Sequence, residues 1–238
     1  MTLPDQLITK PKGVLFDFGG TLVAESLDIR AGNRWLLAQA SPPQPHVGLD
    51  AVVARAEEIG RHVLARRRET QVEIPWAASS RLIYDHFGVQ FDEPVADLEL
   101  GFRRAAIRTE PLPGVRETLD KLADAGIPMA VVSNNSFSER TLRAELERHG
   151  LARHFKFVLS SADVSIRKPN PMIFEIAAVR LGVSAQDIWF VGNSNDEDVA
   201  GANAAGMTSV LLGERDNHEI VCQPAISIPV WHDWPRWD

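Results

Sequence analysis

The chain has 238 residues, 45% of them hydrophobic, and a formal net charge of −7. This length suits one large domain or a core with a smaller insertion, and the apolar share permits a sizeable core. The negative charge argues against non-specific nucleic-acid binding, which needs concentrated positive charge. No apolar run reaches the roughly 18 residues of a membrane span. We therefore expect neither a nucleic acid nor a membrane as a partner.

The cysteine count and the first residues bear on the cellular compartment. Cys222 is the only cysteine, so no disulfide can form within the chain. The first residues lack the basic, apolar and small-residue succession of a secretory signal. From these features we expect a cytoplasmic protein, either a monomer or a homodimer.

The first predicted element is a buried strand that ends at a carboxylate. Residues 14–16 are apolar and Asp17 follows them, before two consecutive glycines at 19 and 20 break the pattern. Open α/β sheets bind their ligands at the carboxyl ends of their strands. Asp17 is therefore the first candidate functional residue.

Residues from about 24 to 110 have a different character. They are rich in Ala, Arg, Glu and Leu and contain no convincing strand, so we predict an all-helical insertion between a core of 1–23 and 111–238. Residues 41–45 are proline-rich and form a linker that cannot continue a helix. The predicted helices of the insertion lie near 25–40, 49–69, 75–87 and 93–107.

From residue 112 onward, short apolar runs alternate with helical patterns. A helix is expected between Gly114 and Gly126, and a second one opens at the capping-box spacing of Ser136 and Glu139 and ends at Gly150. This alternation predicts an α/β fold with a parallel sheet and right-handed crossovers. The apolar runs that suit buried strands lie at 131–132, 157–159, 188–191 and 210–212.

Polar groups also stand at later strand ends. Ser133 and Asn134 follow the strand at 131–132, where a hydroxyl and free backbone N–H groups before a helix suit an anion. Lys168, followed by Pro169, is a compact positive charge that can neutralise a carboxylate or a phosphate. Taken singly, Ser and Asn are also common turn residues, and a Lys-Pro pair is usually a surface loop.

Oxygen-bearing side chains crowd the end of the strand at 188–191. Asn193, Asp196 and Asp198 could complete a Mg²⁺ site, because Mg²⁺ prefers oxygen ligands and keeps several waters. The alternative is that the acids cap the following helix and favour its dipole. The spacing alone does not assign the ligand.

In this order and spacing, the four motifs resemble those of the haloacid dehalogenase superfamily, whose members are mostly aspartate-nucleophile phosphatases. The resemblance covers essentially the whole chain and implies a doubly wound, Rossmann-like core. The insertion is then similar to the family's small mobile cap. The matching segments are 17–22, Ser133-Asn134, Lys168-Pro169 and 192–202.

The resemblance implies a mechanism and a substrate class. Asp17 would attack phosphorus to give an aspartyl-phosphate that water hydrolyses, while Ser133 and Lys168 hold the transferred group. The substrate would be a small phosphorylated metabolite. Further phosphate contacts are implied at Phe18, Gly19 and Asn134. The Mg²⁺ ligands are implied to be Asp17, the carbonyl of Gly19, Asn193 and Asp198.

The chain departs from the phosphatase pattern at two positions. Gly19 stands where a second aspartate usually acts as general acid and base, and losing such a group costs about 10²- to 10⁴-fold in rate. Asn193 stands where a metal-binding aspartate is usual, so weaker Mg²⁺ binding is expected. One alternative is a metal-independent 2-haloacid dehalogenase, since those enzymes also lack the second aspartate, although they usually carry an aromatic residue there. The other is a catalytically impaired binding or regulatory protein.

The end of the chain is unusually rich in tryptophan. Trp231, Trp234 and Trp237 lie within the last eight residues. We expect this segment to fold back over the core, with a dimer contact as the alternative.

Overall fold

The computed structural model describes residues 9–213 and 222–235. The strands there are β1 (Gly13–Phe16), β2 (Val23–Leu27), β3 (Ile107–Pro111), β4 (Met129–Ser133), β5 (Phe155–Ser160), β6 (Ile188–Gly192), β7 (Thr208–Leu212) and β8 (Ile226–Ile228). The α-helices are α1 (Ile29–Leu37), α2 (Leu49–Thr70), α3 (Trp76–Tyr84), α4 (Val95–Ala106), α5 (Val115–Asp124), α6 (Glu139–Arg148), α7 (Ser161–Val164), α8 (Pro171–Leu181) and α9 (Ala200–Ala204). The predicted alternation after residue 111 is confirmed.

Among the described residues, six strands form one sheet in the order β5-β4-β1-β6-β7-β8, and all its neighbours pair in parallel. Strands β1, β4 and β6 are buried along their whole length, as expected for an enclosed parallel sheet. Val14 and Phe16 enter one apolar core, whereas Leu15 enters the other. Cores on both faces confirm a doubly wound, Rossmann-like α/β fold.

The strand order changes direction around β1. The chain leaves β1 for β4 and β5 on one side and later fills β6, β7 and β8 on the other. In open α/β folds the crevice at such a switch point is where ligands bind. The fold therefore directs attention to the carboxyl ends of β1, β4 and β6.

The two ends of the insertion form a structure that the sequence did not predict. Strands β2 and β3 pair antiparallel, with Val23 opposite Pro111 and Leu27 opposite Ile107. The prediction that 24–110 contains no strand was wrong, because β2 is exposed after its first residue and lacks the apolar alternation that identifies a strand. The resulting ribbon spans both predicted boundaries, and helices α1 to α4 lie between its strands.

The helices of the insertion pack closely at two glycines. A Cβ on Gly101 of α4 would lie 2.0 Å from the Trp35 ring of α1, and one on Gly32 would lie 2.6 Å from Ala106. Glycine at these positions lets the two helices approach each other. No helix in the described ranges is both long and apolar enough to cross a membrane.

Helix α6 begins two residues later than the capping-box spacing suggested. Ser138, not Ser136, is its N-cap residue, and the side chain of Ser138 makes no capping hydrogen bond to a backbone N–H of the helix. Instead, both the N–H and the hydroxyl of Ser138 donate to the buried carboxylate of Glu99 on α4, at 2.8 and 2.6 Å. The backbone N–H of Glu139, which the capping box assigned to Ser136, donates to the carboxylate of Asp163 at 2.8 Å.

The tryptophan-rich segment folds back on the core as expected. Trp231 is buried, its indole N–H donates to the carbonyl of Thr21 at 2.9 Å, and its ring stacks on Trp234. Both rings also lie against Phe16 of β1. Trp237 lies outside the described residues.

Candidate active site

Three parallel strands bring the predicted site residues to one edge of the sheet. Phe16 is in register with Val131 of β4 and with Val191 of β6. Asp17, which follows Phe16, therefore lies one residue short of the level of Ser133, the buried last residue of β4. Polar groups that are far apart in sequence meet here because parallel strands end together.

Lys168 is the centre of this edge. Its ammonium nitrogen lies 2.7 Å from Oδ1 of Asp17 and 2.7 Å from Oδ1 of Asp198, and it donates to the carbonyl of Val132 at 3.1 Å. The side chain is only 1% exposed. Burial lowers the pKa of Lys168, but the two carboxylates outweigh it and raise that pKa above its ordinary value. Lys168 is thus a permanent cation between two acids.

Asp17 is also buried, although less completely. Burial, reinforced by the charge of Asp198, raises the pKa of Asp17 to about 6, against the opposing effect of Lys168. The backbone N–H of Phe18 donates to the carboxylate and also favours its charged form. A nucleophilic carboxylate must be ionised, and these contacts keep Asp17 largely ionised at neutral pH.

Asn134 holds the lysine in place. Its side-chain nitrogen donates to the carbonyl of Lys168 at 2.9 Å, and its side-chain oxygen accepts the N–H of Lys168 at 2.8 Å. The contact that we predict between Asn134 and phosphate would use its backbone N–H or the second N–H of its side-chain nitrogen.

The acids of the fourth motif occupy different environments. Asp198 is buried in a π-helical turn, Asn195–Val199, and its Oδ2 accepts the N–H of Ser194 at 2.9 Å. A Cβ on Gly192 would lie 2.2 Å from Asp198, so only glycine admits this carboxylate beneath the end of β6. Asp196 is exposed. Asp198, rather than Asp196, is therefore the acid that shares Lys168 with Asp17.

The oxygen donors suit a weakly held Mg²⁺ ion. Asn193 contacts the loop after β1, where its side-chain oxygen accepts a hydrogen bond from the hydroxyl of Thr21 at 3.2 Å. Across the described ranges, no three His, Cys, Asp or Glu side chains are grouped to hold a metal. Mg²⁺ often binds through one or two carboxylates plus waters and substrate phosphate. One carboxylate, from Asp17, with neutral oxygens from Gly19 and Asn193 fits that pattern.

A cavity of about 370 Å³ lies beside this edge of the sheet and is lined mostly by the insertion; Asp17 and Lys168 are not among the described residues that line it. Residues of both parts line it, among them Asn134 and Phe137 from the core and Trp76 and Tyr84 from α3. Tyr84 donates to the side chain of Asn33 at 2.8 Å. The cavity is large enough for a small metabolite.

Sequence reasoning missed two charged residues of this cavity, Glu25 and Arg103. Arg103 of α4 is 1% exposed, and its Nη2 lies 2.5 Å from Oε1 of Glu25 on β2. Its guanidinium also lies over the rings of Phe18 and Phe137, at 5.5 and 5.0 Å. In the sequence, the only signal for this pair is that Arg103 is a charged residue on the apolar face of a helix.

A buried carboxylate also joins the insertion to the loop that carries Lys168. Glu73 pairs with Arg67 at 2.6 Å, accepts the hydroxyl of Ser161 at 2.7 Å and pairs with Arg167. Arg167 is adjacent to Lys168. We name these four residues the Glu73 cluster.

Comparison with known proteins identifies the family. The family model of haloacid dehalogenase-like hydrolases matches residues 11–206. The chain belongs to this family. The hydrolase is 34% identical over 211 residues to a phosphoglycolate phosphatase of Pseudomonas savastanoi pv. phaseolicola, covering 87% of this chain and 71% of that one.

Other relatives show the range of the family. An (S)-2-haloacid dehalogenase of Burkholderia cepacia is 30% identical over 182 residues, covering 70% of the hydrolase and 78% of the relative. The crystal structure of a HAD phosphatase from Thermococcus onnurineus superposes with a TM-score of 0.63 at 24% identity, covering 92% and 94% of the two chains. The family and the hydrolase class are thus confirmed. Because the relatives include both a phosphatase and a dehalogenase, the comparisons do not by themselves identify the bond that is hydrolysed.

Proposed function

We propose that the hydrolase is a Mg²⁺-dependent phosphatase that forms an aspartyl-phosphate on Asp17 and acts on a small phosphorylated metabolite. The observation that carries this proposal is the buried Lys168 ammonium, 2.7 Å from both Asp17 and Asp198. An anionic nucleophile and an anionic phosphate repel each other, and a fixed cation between them offsets that repulsion. The similarity to phosphoglycolate phosphatases supports this choice of bond.

The residues divide the proposed reaction among them. A carboxylate oxygen of Asp17 forms a bond to phosphorus while the bond from phosphorus to the substrate oxygen breaks. Lys168 neutralises the charge on the transferred group, and Ser133 donates its hydroxyl to a phosphate oxygen. Water then attacks the aspartyl-phosphate, releases inorganic phosphate and regenerates Asp17.

The metal-binding residues follow from the donor set. Asp17, the carbonyl of Gly19 and Asn193 would hold Mg²⁺ directly. Asp198 would contact it through water, because its two oxygens already face Lys168 and the N–H of Ser194. When bound, Mg²⁺ supplies further positive charge to the phosphate oxygens.

Phosphate release by purified protein tests the proposal. The substrates would be 2-phosphoglycolate, a sugar phosphate, an acyl phosphate and an aryl phosphate, each with Mg²⁺ or with a chelator. Asp17→Asn should abolish release, whereas Asp196→Asn, which alters an exposed acid of the same region, should leave it unchanged. Release that persists in Asp17→Asn, or none from any substrate, would refute the mechanism for the compounds tried.

A second candidate is a 2-haloacid dehalogenase. It is favoured by the 30% identity to the Burkholderia cepacia enzyme and by Gly19, since that chemistry does not use the second aspartate. Asp17 would then attack carbon and expel halide. Halide release from a 2-haloacid in the presence of a chelator, lost in Asp17→Asn, would favour this candidate.

A further inference from the structure

The position that lacks a side chain at Gly19 is filled by a carboxylate from elsewhere. A Cβ built on Gly19 would lie 2.7 Å from Oε2 of Glu25, with the next nearest atom the carboxyl carbon of Glu25 at 3.3 Å. An aspartate at position 19 would place its own carboxyl oxygens at a similar distance from its Cβ. Glu25 therefore brings a carboxylate to the place where a side chain at 19 would bring one.

The proposed reaction has need of such a group. The substrate oxygen leaves as an unstable alkoxide unless it receives a proton, and the attacking water must lose one. Asp17 is occupied as the nucleophile, and Asp198 is buried against Lys168. Among the described residues that line the cavity, Glu25 is the only carboxylate.

Glu25 is both held in position and open to solvent. Arg103 anchors its Oε1 at 2.5 Å, and the buried guanidinium is itself fixed between the rings of Phe18 and Phe137. Oε2 is the oxygen that faces Gly19. The side chain of Glu25 is 29% exposed, so its proton can exchange with water.

We propose that Glu25 is the general acid and base of this hydrolase, in place of a side chain at position 19. This inference rests on the proposed phosphatase function. Glu25 gives a proton to the leaving oxygen as the bond between phosphorus and that oxygen breaks. Its carboxylate then takes a proton from the water that attacks the aspartyl-phosphate, so each cycle returns the proton that it used. Arg103 is its positioning residue.

The first test compares Glu25→Gln with Glu110→Gln across substrates of different leaving-group strength. Glu110 is an exposed carboxylate on β3 of the same ribbon, opposite Ala24. For an alkyl phosphate, Glu25→Gln should lower kcat/KM, which reports formation of the aspartyl-phosphate, by about 10²- to 10⁴-fold, and for a nitrophenyl phosphate by much less, because a good leaving group needs no proton. Glu110→Gln should match the wild-type enzyme.

The second test moves the carboxylate back to position 19. Gly19→Asp combined with Glu25→Ala should recover at least tenfold in kcat for the alkyl phosphate over Glu25→Ala alone. Glu25→Gln combined with Arg103→Met removes both partners of the ion pair. Comparing the thermal unfolding of this double variant with that of Glu25→Gln alone measures the destabilisation caused by a buried arginine without a counter-ion, as distinct from lost catalysis.

The outcomes separate the inference from the function on which it rests. A loss that depends on the leaving group and is rescued by Gly19→Asp supports the inference. An equal loss of kcat/KM for all substrates, without rescue, overturns it and leaves Glu25 as the counter-ion of Arg103. Release that depends on Asp17 but not on Glu25 also overturns it, while the phosphatase function stands. Absence of Asp17-dependent release from every substrate overturns both.

Discussion

The edge of the sheet and the cavity beneath the insertion are built in different ways. At the sheet edge, every group that contacts Lys168 comes from the end of a predicted strand or the turn that follows it. In the cavity, the charged pair of Glu25 and Arg103 joins a ribbon to a helix 78 positions away, and neither residue belongs to a motif. Local strand-and-turn patterns thus position the residues around Lys168, whereas packing between distant segments positions the charged residues of the cavity.

The two regions are not independent. The Glu73 cluster connects the end of α2 to the residue before Lys168, and Glu99 of α4 binds the start of α6. The comparison therefore predicts that changes at the sheet edge remove turnover, and that changes at these connections alter substrate binding and stability.

The largest effect is expected for Lys168→Met. It would leave two buried carboxylates facing each other without a cation, and breaking such a buried ion pair costs about 3–5 kcal/mol of unfolding free energy. Turnover should fall by at least about 10²- to 10³-fold, since a preorganised charge at the reacting group is lost. Urea unfolding and phosphate release measure the two effects. Lys156→Met, on the exposed side of β5, is the control, and equal behaviour of the two variants would contradict the role of Lys168.

A smaller effect is expected for Glu73→Gln. Arg67 and Arg167 would lose their shared buried counter-charge, at a cost of about 1–3 kcal/mol. Because the cluster lies between the insertion and the loop that carries Lys168, KM should rise more than kcat falls. Glu69→Gln is the matched control, since Glu69 is exposed and pairs only loosely with Arg66, at 3.6 Å on the same helix. A fall in kcat without a change in KM or in the free energy of unfolding would contradict the role of the cluster in connecting the insertion to the loop that carries Lys168.

The smallest expected effect is the raised pKa of one carboxyl group, that of Asp17. Burial raises the pKa of Asp17 from an ordinary 3.8 to about 6 in the folded chain. A pH titration of protein labelled at its carboxyl groups should therefore show one carboxyl with a midpoint near 6, and this midpoint should be absent from Asp17→Asn. Between those values the folded chain holds a proton that the unfolded chain has lost, so this contribution to stability falls as the pH rises from about 4 to about 6. The ionised nucleophile increases over the same window. A midpoint below 4.5 would contradict the burial of Asp17.

Local pattern was sufficient for five of the six described strands of the core sheet; it missed β8 and failed where contacts between distant segments decided. The strands at 131–132 and 188–191 were predicted because runs buried on both faces are apolar throughout. Strand β2 was missed because its exposed residues carry no such pattern and it exists by pairing with β3. The start of α6 was misplaced because Asp163, 24 positions after Glu139, accepts the N–H of Glu139 that the capping box would have given to Ser136.

By itself, the sequence determined an α/β fold with a parallel sheet, the helical character of most of the insertion and the polar residues at the strand ends, whereas the doubly wound arrangement was implied by the family resemblance. These features depend on side-chain periodicity and on turn chemistry within a few residues, and parallel strands then bring the polar ends together without further information. Only the tertiary structure decided that Asp198 rather than Asp196 shares the lysine, and that Glu25 fills the space at Gly19. The physical reason is that burial and close approach between distant segments are properties of packing, which no local spacing encodes.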